Sequence, residues 1–252
     1  MKRRQLIKAG VVTALGMGTI AQLPAAESAL DGSLNLTGLA RLIPKVINSG
    51  VGGNNTNDLI ARLDKDCLAY QPQLTILMAG TNDMNSVKHV QLTQYLSNMD
   101  SMMKRITSAG SALLVLNILP AYEPYLFTRH PEAFYQPEGV AGRRKQLNGA
   151  LERLVWKNNV HFLDICHRFE AIGKIGIEKD SLIQNMANTN KTDGIHPTAN
   201  GYRFIALSVY DYLKANHLHA SRSIVCFGDS ITKGDGSIDQ DSYPAYLSKL
   251  LS

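Results

Sequence analysis

Short apolar runs, partly β-branched, alternate along this chain with stretches whose apolar residues recur at helical spacing, and this alternation restricts the fold more than any other feature. The runs at 44–48, 73–80, 111–118, 160–165 and 223–227 have the length and continuous apolar character of strands buried on both faces. Between them Leu59, Ile60, Leu63 and Cys67 form one helical stripe, and Leu92, Tyr95, Leu96, Met99, Met103 and Ile106 a second. Leu147, Leu151, Leu154 and Val155 make a third, and Tyr202, Ile205, Ala206, Val209 and Leu213 a fourth. Such alternation predicts a parallel sheet with helices on both faces. No repeat, low-complexity tract or interdomain linker interrupts it, so residues 29–252 read as one domain, long enough to bury a full core.

Residues 1–28 read separately, as an export leader. A basic front precedes a modestly apolar middle and a small-residue end, and Arg3-Arg4 before Gln5-Leu6-Ile7-Lys8 resembles a twin-arginine signal. The expected location is therefore the periplasm or the exterior, with no stable membrane span once the leader is removed. The formal charge of +5 is concentrated there: Lys2, Arg3, Arg4 and Lys8 are four of the 26 basic residues, with no acid in 1–26. The 22 that remain face 21 acids, so the domain lacks the basic footprint of a nucleic-acid binder. The three cysteines are odd in number and lack CxxC spacing, which suggests neither a disulfide framework nor a zinc site. Cys226, inside a strand, reads as a buried apolar thiol; a single bridge between Cys67 and Cys166 stays open.

Four blocks carry chemistry. NSGVGGNNT at 48–56, GTND at 80–83 and FGDS at 227–230 each follow a strand run, and DGIHP occupies 193–197. Taken singly, each has an ordinary structural reading: a glycine-rich turn, a helix N-cap, a turn-forming loop, a turn with a structural histidine. The first lacks both the Gly-Lys-Ser/Thr ending of a P-loop and the GxGxxG spacing of a dinucleotide fold. Taken together they describe an activated serine. A hydroxyl is a weak nucleophile until a base removes its proton, and Asp193 three residues before His196 lets one local turn hold and orient an imidazole.

The set resembles the SGNH (GDSL-type) serine hydrolases over nearly all of 33–252. In that family the Gly-Asp-Ser block normally opens the domain, whereas here it lies near the end, so the order reads as a circular permutation. The resemblance implies a three-layer α/β/α sandwich of flavodoxin-like type with a five-stranded parallel sheet. The last strand, 223–227, should insert between strands 44–48 and 73–80, His217–Arg222 should be the new joint, and the final helix near Tyr243 to Leu251 should lead toward 33–43. It further implies Ser230 as nucleophile, His196 as base, Asp193 as its orienting acid, and an oxyanion hole from the N–H of Ser230, the N–H of Gly53 and the side-chain amide of Asn82. No cofactor or metal is implied. The expected activity is cleavage of carboxylic esters, with short acyl or acetyl groups preferred, on a small-molecule or glycan substrate. A lysophospholipase, thioesterase or O-acyltransferase of the same family is the alternative, and a silent glycan-binding module the alternative of another class. The GDSIT context disfavours the GxSxG elbow of α/β-hydrolases. The sequence leaves the oligomeric state open.

Residues 120–143 form a long insertion with Tyr122, Tyr125, Phe127, Phe134 and Tyr135. It either walls the cleft or packs its aromatics onto its own domain. His130 reads as a surface residue, Asp229 as a structural residue that either orients the serine loop or caps the turn after it, and Arg143, Arg144 and Lys145 as a solvated helix face with room for an anionic substrate group.

Overall fold

The computed structural model describes residues 45–234 and 241–252; residues 1–28, expected to form a leader, and the segment 33–43 lie outside them. Five parallel strands, β1 (Lys45–Gly50), β2 (Leu74–Met78), β3 (Ala112–Leu116), β4 (His161–Leu163) and β5 (Ser223–Gly228), form one sheet in the order β1-β5-β2-β3-β4. The last strand in sequence thus lies between the first two, as expected. Val46 pairs with Ile224, and Ile76 with Cys226.

Period-two alternation sends neighbouring strand residues to opposite faces, and the faces are packed by different helices. Leu77, Leu113, Val115, Val225 and Phe227 meet α1 (Thr56–Asp66), α2 (Leu92–Ser108) and α4 (Gly139–Asn158). Ile76, Met78, Leu114, Leu116, Ile224 and Cys226 meet α5 (Ile165–Ile172), α7 (Ala199–Ala215) and α9 (Tyr243–Leu251). This is the three-layer α/β/α sandwich. Among the described residues the remaining α-helices are single turns: α3 (Glu123–Leu126), α6 (Met186–Thr189) and α8 (Ser230–Lys233).

All three cysteines are unpaired and buried. Burial pushes the Cys67 thiol up to about 11 and Cys166 up to about 12, so both stay protonated and unreactive near neutrality. Among the described residues no helix is long and apolar enough to cross a membrane.

Candidate active site

Parallel strands present all their carboxyl ends to one edge, where α/β ligands bind. Three of the four sequence blocks leave that edge from adjacent strands. Gly50 ends β1 and leads into Val51–Asn54, β5 ends at Gly228 before Ser230, and β2 passes through Gly80 to Asn82. The turn after Gly228 is tight because glycines allow it. A Cβ at Gly228 would collide with the Met78 carbonyl and the Thr232 hydroxyl, and one at Gly50 with the backbone of Lys233. Asp229 caps α8 by accepting the Ile231 N–H at 2.9 Å, one of the two roles considered for it. Ser230 therefore begins a helical turn with its side chain at the sheet edge.

The fourth block carries His196, 34 residues before Ser230 in sequence. Residues 193–197 form a turn braced against 182–184: the Gln184 N–H donates to the His196 carbonyl at 2.8 Å, and Gly194 N–H to Gln184 at 3.0 Å. One oxygen of Asp193 accepts the backbone N–H of Ile195 at 2.9 Å and of His196 at 2.6 Å. The other faces His196 Nδ1 at 2.9 Å. His196 Nε2 lies 2.9 Å from Ser230 Oγ. Ser230, His196 and Asp193 thus form a continuous hydrogen-bonded chain. Burial works to raise the Asp193 carboxyl, but the His196 hydrogen bond and charge and the two backbone donors outweigh it and hold it down to about 2.

Opposite this chain stand the two other predicted groups. Gly53 adopts φ +77°, a conformation that suits glycine, and among the described residues nothing accepts from its N–H. The loop lies against the serine, since a Cβ on Gly52 would sit 3.9 Å from Ser230 Cβ. The Asn82 amide donates to the Asn54 carbonyl at 2.9 Å, and its nitrogen is 3.5 Å from Asp229 Oδ2. An amide nitrogen carries two protons, so one N–H tethers Asn82 to the glycine loop while the other makes the longer bond to Asp229, the residue before the serine.

Two residues that the sequence reading did not single out hold these loops. Arg62 donates to Gly228 O at 2.8 Å, Ser49 O at 3.0 Å and Asn54 Oδ1 at 2.6 Å, with its guanidinium 4.4 Å from the Phe227 ring centroid. It ties the ends of β1 and β5 to the glycine loop. Asp83, fully buried, accepts the Thr56 N–H at 3.0 Å and the Thr56 hydroxyl, joining the Asn82 segment to the start of α1. Asp229 is likewise buried; desolvation pushes its carboxyl up to about 6, against the Ile231 N–H and the His196 charge, which favour ionisation.

A cavity of about 140 Å³ opens beside Ser230 and His196, walled by Ile118, Leu126, Val140 and Ile195 with Arg129 and Tyr135. The insertion does both things considered for it: Leu126, Arg129 and Tyr135 wall the cavity, while Phe127 and Phe134 pack on the core. Two expectations need correction. His130 is not a simple surface residue, because its Nδ1 lies 2.8 Å from Ser86 Oγ and the ring lines the cavity. Arg143 and Arg144 are not a solvated face, each having a side chain only 12% exposed. Arg143 lies over the Phe134 and Tyr135 rings and pairs with Glu138 at 2.9 Å, and Arg144 pairs with Glu170 at 2.6 Å. Phe134 and Tyr135 of the insertion cover Arg143 and Glu170 of α5 pairs with Arg144, which their position on a helix does not reveal. Lys145 is exposed, as expected.

Comparison with known proteins finds matches in sequence and in fold. The profile of the GDSL-like lipase/acylhydrolase family matches residues 26–204. The uncharacterized lipoprotein YqeF of Bacillus subtilis is 24% identical over 178 residues, 66% of this chain and 72% of that protein. An acetylxylan esterase of Geobacillus stearothermophilus is 30% identical over 101 residues, 37% of this chain and 42% of its own length. Among solved structures, a lipase/acylhydrolase from Enterococcus faecalis shares the fold with a TM-score of 0.52 at 18% identity, over 65% of this chain and 72% of that one.

Proposed function

Since this chain belongs to the GDSL-like lipase/acylhydrolase family and is a carboxylic ester hydrolase, we propose that Ser230, His196 and Asp193 perform the chemistry, that its esters carry short acyl groups, and that it works outside the cytoplasm. The observation that carries this is the 2.9 Å contact between His196 Nε2 and Ser230 Oγ, backed by Asp193 and facing the cavity.

Ser230 Oγ attacks the ester carbonyl while His196 Nε2 takes its proton, and Asp193 stabilises the imidazolium. The negative charge moves to the carbonyl oxygen, where the N–H groups of Ser230 and Gly53 receive it together with the Asn82 N–H that leaves its long 3.5 Å bond to Asp229. Collapse breaks the ester C–O bond, His196 returns the proton to the departing alkoxide, and an acyl-serine remains. Water, deprotonated by His196, then releases the carboxylate.

Cavity size argues for a short acyl group. About 140 Å³ is well below the roughly 300–1,000 Å³ of sites that enclose drug-sized ligands. The acetylxylan esterase relative supports an acetylated glycan or small molecule as substrate. Export rests on the leader-like residues 1–28 and on the lipoprotein relative. The permuted order is supported by two observations: the family match ends at residue 204, and the strand that leads to Ser230 lies at 223–228 between β1 and β2.

A panel of p-nitrophenyl esters of rising chain length tests the substrate reading. Acetate is expected to exceed octanoate in kcat/KM by about tenfold or more, since each methylene that finds no room forfeits on the order of 1 kcal/mol. Preference for octanoate overturns it. Asn82→Ala tests the oxyanion assignment: kcat should fall roughly 10²- to 10³-fold with little change in KM, because the donor acts mainly on the transition state. A rise in KM at unchanged kcat would make Asn82 a ground-state binding group.

A further inference from the structure

The insertion does more than wall the cavity, because it also grips the turn that carries the acid and the base. The Tyr122 N–H donates to the Gly194 carbonyl at 2.8 Å. Gly194 adopts φ +74°, and a Cβ there would lie 2.7 Å from the Tyr122 carbonyl oxygen and 2.8 Å from Tyr125 Cβ. Insertion and turn are therefore in direct contact, with no space for a side chain between them. Arg129 supplies the second grip. Its Nη2 donates to the Asp193 carbonyl oxygen, and its Nη1 lies 3.7 Å from Asp193 Oδ2. That is the oxygen facing His196 Nδ1 at 2.9 Å.

We propose that Arg129 is a positioning residue for the reaction, fixing the Asp193 carboxylate and moderating its pull on the His196 proton; this rests on the reading of Ser230, His196 and Asp193 given above. The two contacts hold both the backbone and the carboxylate of Asp193, so the acid cannot swing away from the imidazole. The charge has a second effect. A carboxylate shared between a guanidinium and an imidazole stabilises the imidazolium less than one that is unshared. Arg129 thus shares the carboxylate charge that would otherwise act on His196 alone.

Other charges near His196 do not duplicate this. Asp229 is buried behind the serine and adds negative potential. His130 and Arg144 line the same cavity but are engaged with Ser86 and Glu170. Among the described residues, Arg129 and His196 are the ion-pair partners of Asp193.

The experiment compares pH profiles of kcat/KM on p-nitrophenyl acetate for the wild type, Arg129→Met and Arg129→Lys. Arg129→Met is expected to move the acid limb to higher pH by about 0.3–0.7 unit, the scale of a partly exposed ion pair. It should also lower the plateau kcat about three- to tenfold, as for a lost hydrogen bond, with KM nearly unchanged. Arg129→Lys keeps the charge and should restore most of the profile. Arg129→Gln removes the charge and keeps a donor for the Asp193 carbonyl, so it should give the same shift if Arg129→Met melts below assay temperature. A raised KM with an unmoved profile would make Arg129 a substrate-binding group, and an unchanged profile and kcat would leave it a surface residue; either result overturns the proposal. Failure of the underlying triad reading is distinguishable, because it would appear as full activity in Ser230→Ala.

Discussion

Ser230→Ala is expected to lower kcat on p-nitrophenyl acetate by roughly 10⁴- to 10⁶-fold, with KM changed only a few-fold. The argument begins with what the substitution leaves intact. Asp229 still caps α8 through the Ile231 N–H, Gly228 still allows the close approach to Met78, and the backbone N–H of residue 230 is retained. The hydrogen bond lost is that between Oγ and His196 Nε2, and neither atom lies deep in the core, so the fold should persist with a melting temperature near that of the wild type. What disappears is the covalent route. Without Oγ no acyl-enzyme forms, and only positioning and the oxyanion donors remain to assist attack by water. The same variant should lose labelling by a fluorophosphonate probe, which requires an activated hydroxyl. Labelling of Ser230→Ala, or retention of more than about a tenth of the wild-type kcat, would place the nucleophile elsewhere. Absence of labelling in the wild type would favour a glycan-binding module.

Sequence and structure agree most closely where one local pattern decides the outcome. Strands buried on both faces must be apolar throughout, so runs such as 223–227 stand out, and Val225 and Cys226 prove to face opposite layers. The Asp193-x-x-His196 spacing is legible for a similar reason, since three residues of turn place carboxylate and imidazole without help from distant parts of the chain. Legibility ends where a side chain serves a partner far away in sequence. Arg62 holds the carbonyl of Gly228, 166 residues distant, and backbone acceptors leave no trace in the residue types around them. Asp83 sits within a recognisable block, yet its bond to Thr56 depends on how α1 docks beside β2. Arg143 and Arg144 look solvated because the helix alone would expose them; rings of the insertion cover Arg143, and Glu170 of α5 pairs with Arg144. Residues that perform chemistry are constrained by reactivity as well as shape, whereas residues that support them are constrained by shape alone, and shape is what the sequence encodes least directly.

Asp193→Asn should lower kcat by roughly 10³- to 10⁴-fold while preserving the geometry of the site, and the reason lies in how the carboxylate is already used. One of its oxygens accepts two backbone N–H groups, from Ile195 and from His196 at 2.6 Å. An asparagine must keep its carbonyl oxygen there, because an amide NH₂ pointed at two N–H donors would leave them all without an acceptor. The NH₂ is then forced toward His196 Nδ1, where it donates. A neutral imidazole that accepts at Nδ1 must carry its proton on Nε2, the atom 2.9 Å from Ser230 Oγ. The base is present, correctly placed and in the wrong tautomer. Two further consequences separate this from a loss of fold. KM should stay near the wild-type value, since Asp193 touches no part of the cavity that receives the ester. The acid dependence of stability should also weaken. The depressed Asp193 carboxyl contributes stability that is complete above its unfolded value of 3.8 and lost as pH falls toward 2, and an amide has no such dependence. Acid titration of the melting temperature, run beside the kinetics, checks both: a variant that keeps wild-type kcat, or loses activity only by melting at lower temperature, would remove Asp193 from the catalytic chain.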